Sequence, residues 1–98
     1  FLFVEDAANG IINAAKFYDN EEPLNLGSSQ EISIKHIVEQ ISEILDYEGS
    51  IKWNKEKPNG QPRRCVSYER AKEIINFEPK MNFNQGLKLT IEWFLRNQ

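Results

Sequence analysis

From Ser33 to Leu45 the chain places Ile34, Ile37, Val38, Ile41, Ile44 and Leu45 at three- and four-residue intervals. Only an α-helix gathers such a set onto one face; a strand would scatter it over two. Ser33 is a good N-cap, and Ile32 before it is placed to pack on Ile37 as a hydrophobic staple. The helix is expected to stop near Gly49. The same periodicity recurs three times. Between Glu5 and Tyr18 the stripe is Ala8, Ile11, Ile12, Ala15 and Tyr18, with Glu5 and Asp6 in the first turn, where the helix dipole favours negative charge. A short third helix is expected from Ser67, turning Ala71, Ile74 and Ile75 inward. A fourth opens at Asn82, with Gln85 as capping-box partner, and carries Phe83, Leu87, Ile91, Phe94 and Leu95. Gly86 inside it costs about 1 kcal/mol relative to Ala, which a close helix contact would explain.

Three short runs read as strands: Phe1–Val4, Pro23–Leu26 and Ile51–Trp53, each apolar or alternating and bounded by turn residues. The fold class expected is therefore α/β in the broad sense, an α+β arrangement of four helices with a few short strands. At 98 residues, 40% hydrophobic and 28% charged, the chain is the size of one soluble folded domain spanning residues 1–98. No apolar run approaches the ~18 residues of a membrane span. Cys65 is the single cysteine, so an internal disulfide and a multi-cysteine zinc site are excluded, and a reducing, cytoplasmic setting is expected. A net charge of -3 argues against a general nucleic-acid binder. The chain opens Phe1-Leu2-Phe3-Val4 without an initiator Met, as though cut from something longer.

The average charge conceals a segregated one. Between residues 52 and 64, Lys52, Lys55, Lys57, Arg63 and Arg64 face a single acid, Glu56, while Pro58, Asn59, Gly60 and Pro62 impose a turn-rich loop. Clustered Arg and Lys on a stiff loop suit phosphate or pyrophosphate, Arg as a planar fork and Lys as a point charge. A solvated basic loop is the alternative. Nucleic acid fits less well, because only Trp53 interleaves with the charges.

Other signals resemble catalysis and are weaker. Tyr68 and Lys72 have the Tyr-x-x-x-Lys spacing of a dehydrogenase pair, but no Ser partner or Gly-rich loop stands nearby. His36, the only histidine, lies off the apolar face of its helix and is expected to face solvent. Cys65 follows Arg63 and Arg64 and is expected to be a small packed residue. The glycines at 10, 27, 49, 60 and 86 are too dispersed for a dinucleotide fingerprint or a P-loop, and no spacing suggests a metal site.

Phe1-Leu2-Phe3-Val4-Glu5-Asp6-Ala7-Ala8, Leu24-Asn25-Leu26-Gly27-Ser28 and Glu31-Ile32-Ser33-Ile34 resemble the C-terminal third of the extended short-chain dehydrogenase/reductases, the NAD(P)-dependent nucleotide-sugar epimerases and dehydratases. Lys57-Pro58-Asn59-Gly60-Gln61-Pro62-Arg63-Arg64, then Arg70-Ala71-Lys72, then Gly86-Leu87 through Thr90-Ile91-Glu92-Trp93-Phe94, is similar to the end of the GDP-L-fucose synthase family, whose loop reads Lys-Pro-Asp-Gly-x-Pro-Arg-Lys/Arg. The resemblance implies a C-terminal substrate domain lacking most of its Rossmann domain. It implies further that Asn59 and Arg64, with Lys57 and Arg63 beside them, contact the nucleotide of a nucleotide sugar, with a GDP-sugar favoured. Asn59 stands where that family usually has Asp, which leaves the choice of base open. Ser67 replaces a usual Asp, and both are caps. Catalytic residues and cofactor contacts are expected to be absent from this stretch, NADP or NAD being bound elsewhere in a longer parent that epimerises and reduces a GDP-4-keto-6-deoxy sugar. The 98 residues alone would then be inactive. Another nucleotide-sugar 4-epimerase or dehydratase, or a stand-alone non-catalytic interaction module, are the alternative readings. No nucleic-acid or membrane partner is implied. In such a parent, a homodimer through Rossmann helices, a bare docking surface is left on this portion, with self-association or disorder near Phe1–Val4 and Pro23–Leu26 as the consequence.

Overall fold

The computed structural model describes residues 1–57 and 65–98. Every regular element among them is helical: α1 (Val4–Phe17), α2 (Ile34–Ile44), α3 (Glu69–Ile75) and α4 (Phe83–Arg96). The expected strands do not form, so the α/β expectation is corrected to an all-α one for the described residues. Each segment shows why. Phe3 already serves α1, its carbonyl accepting the N–H of Ala7 at 3.0 Å, and Val4 is the first helical residue. In 23–26 the alternation is real, since Leu24 and Leu26 both pack on the core. The Pro23 carbonyl, however, accepts from the Arg70 guanidinium at 2.9 Å instead of from a neighbouring strand. Ile51 and Trp53 are exposed and bury no face. A strand needs a ladder as well as a pattern, and no ladder is present among these residues.

The residues form two compact units, Phe1–Gln30 with Cys65–Gln98, and Glu31–Arg64. In the first, Ala71, Ile75 and Phe77 are buried, and Leu2, Ala14, Tyr18, Leu24, Leu26 and Tyr68 pack around them. Helix α3 presents Ala71 and Ile75 as expected, while Ile74 stays outside. It starts later than the cap suggested: Tyr68 is the N-cap, and Ser67 Oγ accepts the N–H of Glu69. Asn76, left-handed at φ 54°, ends it and swings Phe77 back into the core.

Helix α1 turns most of its expected stripe outward: Ala8, Ile11, Ile12 and Ala15 are exposed and Tyr18 alone of the five packs on the core. The face turned inward is Asp6, Gly10, Asn13 and Ala14, and Ile11 and Ile12 are 64% and 51% exposed. Gly10 admits the ring of Phe77 and the tip of Leu26; a Cβ there would lie 2.9 Å from Phe77 and 2.8 Å from Leu26. Asp6 is buried and spans to the other end of the unit, Oδ1 accepting the Lys80 N–H at 3.1 Å and Oδ2 the Met81 N–H at 3.0 Å. Those amides lie just before Asn82, whose side chain caps α4 through the Gln85 N–H at 2.8 Å. Along α4, Phe83, Leu87 and Ile91 are half-buried, whereas Phe94 and Leu95 are exposed. Gly86 is buried beneath Phe3 and Met81 side chains, so a side-chain contact, not a helix contact, accounts for it.

In the second unit Ser33 caps α2 as expected, its hydroxyl accepting the His36 N–H at 3.1 Å. Ile37, Val38, Ile41 and Ile44 are half-buried; Ile34 and Leu45 are exposed. The helix stops before Gly49 because Asp46 takes the left-handed position, φ 52°, and the Tyr47 N–H closes on the Ser42 carbonyl at 2.9 Å.

Candidate functional site

The basic segment belongs to the second unit, and residues 51–57, which include its start, are all exposed. Asn54 shapes its start, Oδ1 accepting the Glu56 N–H at 3.0 Å. Lys57, one of the four expected contacts, is exposed. Asn59, Arg63 and Arg64 lie outside the described residues, as do Pro58, Gly60, Gln61 and Pro62. The described chain resumes at Cys65, which is exposed rather than packed.

Beyond Cys65 the backbone is pinned. The Val66 carbonyl accepts the N–H of Ser29 at 3.0 Å, and the N–H of Tyr68 donates to Ser29 Oγ at 3.1 Å. Gly27 lies against the same residue: a Cβ on it would come 2.2 Å from the Val66 oxygen. Nothing in the sequence singles out Ser29, because its bonds depend on a conformation, φ 58°, that a serine seldom adopts. Arg70 stands out in the sequence only within the family resemblance. It holds Pro23 O, the Glu22 carboxylate at 2.9 Å and Tyr18 Oη at 3.4 Å, and so ties the end of α1 to α3.

The dehydrogenase-like pair has a structural use. Tyr68 packs on the core, and Lys72 Nζ lies 3.7 Å from Glu78 on the same unit. His36 is exposed, as expected, and contributes its amide to the α2 cap. No group of three His, Cys, Asp or Glu side chains that would hold a metal occurs among the described residues. No helix among them is long and apolar enough to cross a membrane. What these features define is a class: small helical units, one of which carries an exposed basic stretch over residues 52–57.

No protein-family model matches the chain. Individual proteins do. It is 32% identical over 97 residues to the probable GDP-L-fucose synthase 1 of Oryza sativa subsp. japonica, covering 99% of this chain and 29% of that protein. Against GDP-L-fucose synthase 1 of Arabidopsis thaliana the identity is again 32% over 97 residues, 99% of this chain and 30% of that one. Its fold is similar to that of the Bordetella bronchiseptica enzyme WbmF in complex with NADH, with a TM-score of 0.83 and 32% identity over 99% of this chain and 29% of that one. The complex of WbmF with NAD+ and UDP gives 0.78 and 31%, over 99% and 28%. Over essentially its whole length, then, the chain matches an extended short-chain dehydrogenase/reductase family of the GDP-L-fucose-synthase type, and it spans under a third of the length of these relatives.

Proposed function

We propose that the chain is the nucleotide-sugar-binding portion of a cytoplasmic, NAD(P)-dependent, GDP-L-fucose synthase-like epimerase/reductase, and that Lys57, Asn59, Arg63 and Arg64 bind the nucleotide. The observation that carries this reading is the 32% identity to GDP-L-fucose synthases across 99% of the chain. The chemistry agrees with it. A diphosphate offers paired anionic oxygens to the two Arg forks and a third to Lys57, while Asn59 presents both a donor and an acceptor to a base or ribose. Three of the described glycines, Gly10, Gly27 and Gly86, do not form a dinucleotide loop. Gly10 and Gly86 are covered by side chains within helices, and Gly27 is covered by the Val66 carbonyl. None of them opens a helix onto a pyrophosphate. In this reading a longer parent uses NADP or NAD, and the chain alone is expected to be inactive.

A second reading keeps the site and changes the base to uracil, favoured by the WbmF complex that contains UDP. Titrating GDP, UDP and inorganic phosphate against the chain, with backbone amide shifts as readout, separates the two. GDP is expected to move Lys57, Asn59, Arg63 and Arg64, and Arg64→Ala to weaken it about tenfold, the worth of a charge-assisted hydrogen bond. Shifts confined to other regions would remove the site; an equal response to UDP would remove the preference for guanine. The exposed apolar face of α1 belongs to the same reading, as surface that self-associates when the chain is on its own.

A further inference from the structure

The chain has two tryptophans, and both stand largely in water, Trp53 at 50% exposure and Trp93 at 60%. An indole is a large apolar plane, highly buried on average, so each exposed one calls for a reason. Their surroundings differ. Trp93 is followed on α4 by Phe94 and Leu95, both exposed, and belongs to an apolar patch. Trp53 stands among cations of the second unit, Lys52, Lys55 and Lys57, all exposed, with Glu56 as the one acid between them. The ion pairs formed among the described residues, Arg70 with Glu22 and Lys72 with Glu78, use other cations. The ring contact formed among them, Phe1 with Phe83, uses other rings. Directly after Trp53 the chain turns: Asn54 Oδ1 accepts the Glu56 N–H at 3.0 Å, and Lys55 and Glu56 lie in the turn. Left extended, the four residues from Trp53 to Lys57 would span ~14 Å. A turn instead holds residues three apart within about 7 Å, so Lys57 is drawn back toward the indole.

We propose that Trp53 is the platform on which the base of a nucleoside diphosphate stacks, with Lys55 and Lys57 beside it to meet the phosphates; this role rests on the nucleotide-binding reading above. Such a ligand is a flat ring at one end and a cluster of negative oxygens at the other. A half-exposed indole meets the first by stacking, and the ammonium groups of the adjoining turn meet the second as point charges. Neither serves alone. Exposed lysines are screened by salt and hold a phosphate loosely, while an indole without neighbouring charge has no hold on the anion. Stacking needs a π-face and no particular hydrogen-bond pattern, so Trp53 accepts guanine or uracil, and the larger purine covers more of it.

Comparing GDP with inorganic pyrophosphate tests this, because the two share the phosphates and only GDP carries a base. In Trp93→Phe the indole emission comes from Trp53 alone. GDP is expected to quench it, and pyrophosphate to leave it nearly unchanged. By calorimetric titration of the whole chain, Trp53→Ala should weaken GDP about tenfold and pyrophosphate by less than about twofold. Trp53→Phe keeps a ring and should retain most of the GDP affinity. Lys57→Ala should weaken both ligands alike, by about threefold. Equal losses of GDP and pyrophosphate in Trp53→Ala, or no loss of GDP, would overturn the stacking role and leave nucleotide binding standing. GDP that binds the Trp93→Phe chain without quenching would do the same, with no change made at position 53. A wild-type chain that binds none of GDP, UDP and pyrophosphate would overturn nucleotide binding itself, and the platform with it.

Discussion

Asp6 combines two demands that the linear chain does not display together. In the first turn of α1 it stands where the helix dipole favours a carboxylate, which is how sequence alone explains it. Folded, it is buried and accepts two amides from residues 80 and 81, on the far side of the chain. Removing it leaves two backbone N–H groups without their partner, so Asp6→Ala should cost about 3 kcal/mol of unfolding free energy. Asp6→Asn retains one acceptor and points an N–H₂ group at the other amide, so it should recover less than half of that loss. Urea denaturation of the three proteins measures both; an Asp6→Ala loss below about 1 kcal/mol would show the carboxylate to be a dipole partner only. Ser29 is the companion case. Its type and position are plain in the sequence, yet nothing local reveals a hydroxyl aimed at an amide thirty-nine residues away.

At the scale of elements, periodicity and capping placed all four helices, and the Ser33 and Asn82 caps are formed by the expected side chains. Boundaries shifted where a left-handed residue ended a helix: Asp46 stops α2 before Gly49. Which face turned inward was less legible. Ile11 and Ile12 of the α1 stripe face out because the partner α1 packs on, α3 with Phe77, approaches through Gly10. Two helix glycines should therefore respond with opposite sign to the same change. Gly10→Ala gains about 1 kcal/mol of helix propensity but pushes on the ring of the buried Phe77, an overpacking that costs about 2 kcal/mol, so it should destabilise. At Gly86 the nearest atoms are Phe3 Cδ1 at 3.0 Å and Met81 Cγ at 3.2 Å, in half-buried side chains able to yield. Gly86→Ala should stabilise by up to about 1 kcal/mol. Paired thermal or urea melts decide it, and two shifts of the same sign would contradict the packing described for α1.

The molecule as a whole has a small core and much uncovered apolar surface. Val4, Ile11, Ile12 and Phe17 on α1 are all exposed, as are Trp93 and Phe94 on α4. Apolar side chains exposed together on one helix favour association, and the expected outcome is a mass of the purified chain that depends on concentration. Sedimentation equilibrium should show the mass average rising with concentration, and Ile11→Lys with Ile12→Glu should return it to that of one chain. A monomer at every concentration would show that this face is tolerated in water. The strands failed at this scale too: the 1–4 and 23–26 runs have strand-like composition, but the backbone partners a sheet requires are not among the described residues.

By itself the sequence determined that four helices form, the segregation of positive charge into residues 52–64, and the resemblance that the comparisons bear out over 99% of the chain. These are properties of neighbours along the chain, set by side-chain period, cap chemistry and loop composition. Tertiary structure decided the inward face of α1, the loss of the expected strands, the burial of Asp6 and the left-handed grip of Ser29 on Val66 and Tyr68. Each of those depends on which distant backbone group comes within 3 Å or so of a given side chain, and pattern along one segment carries no information about that.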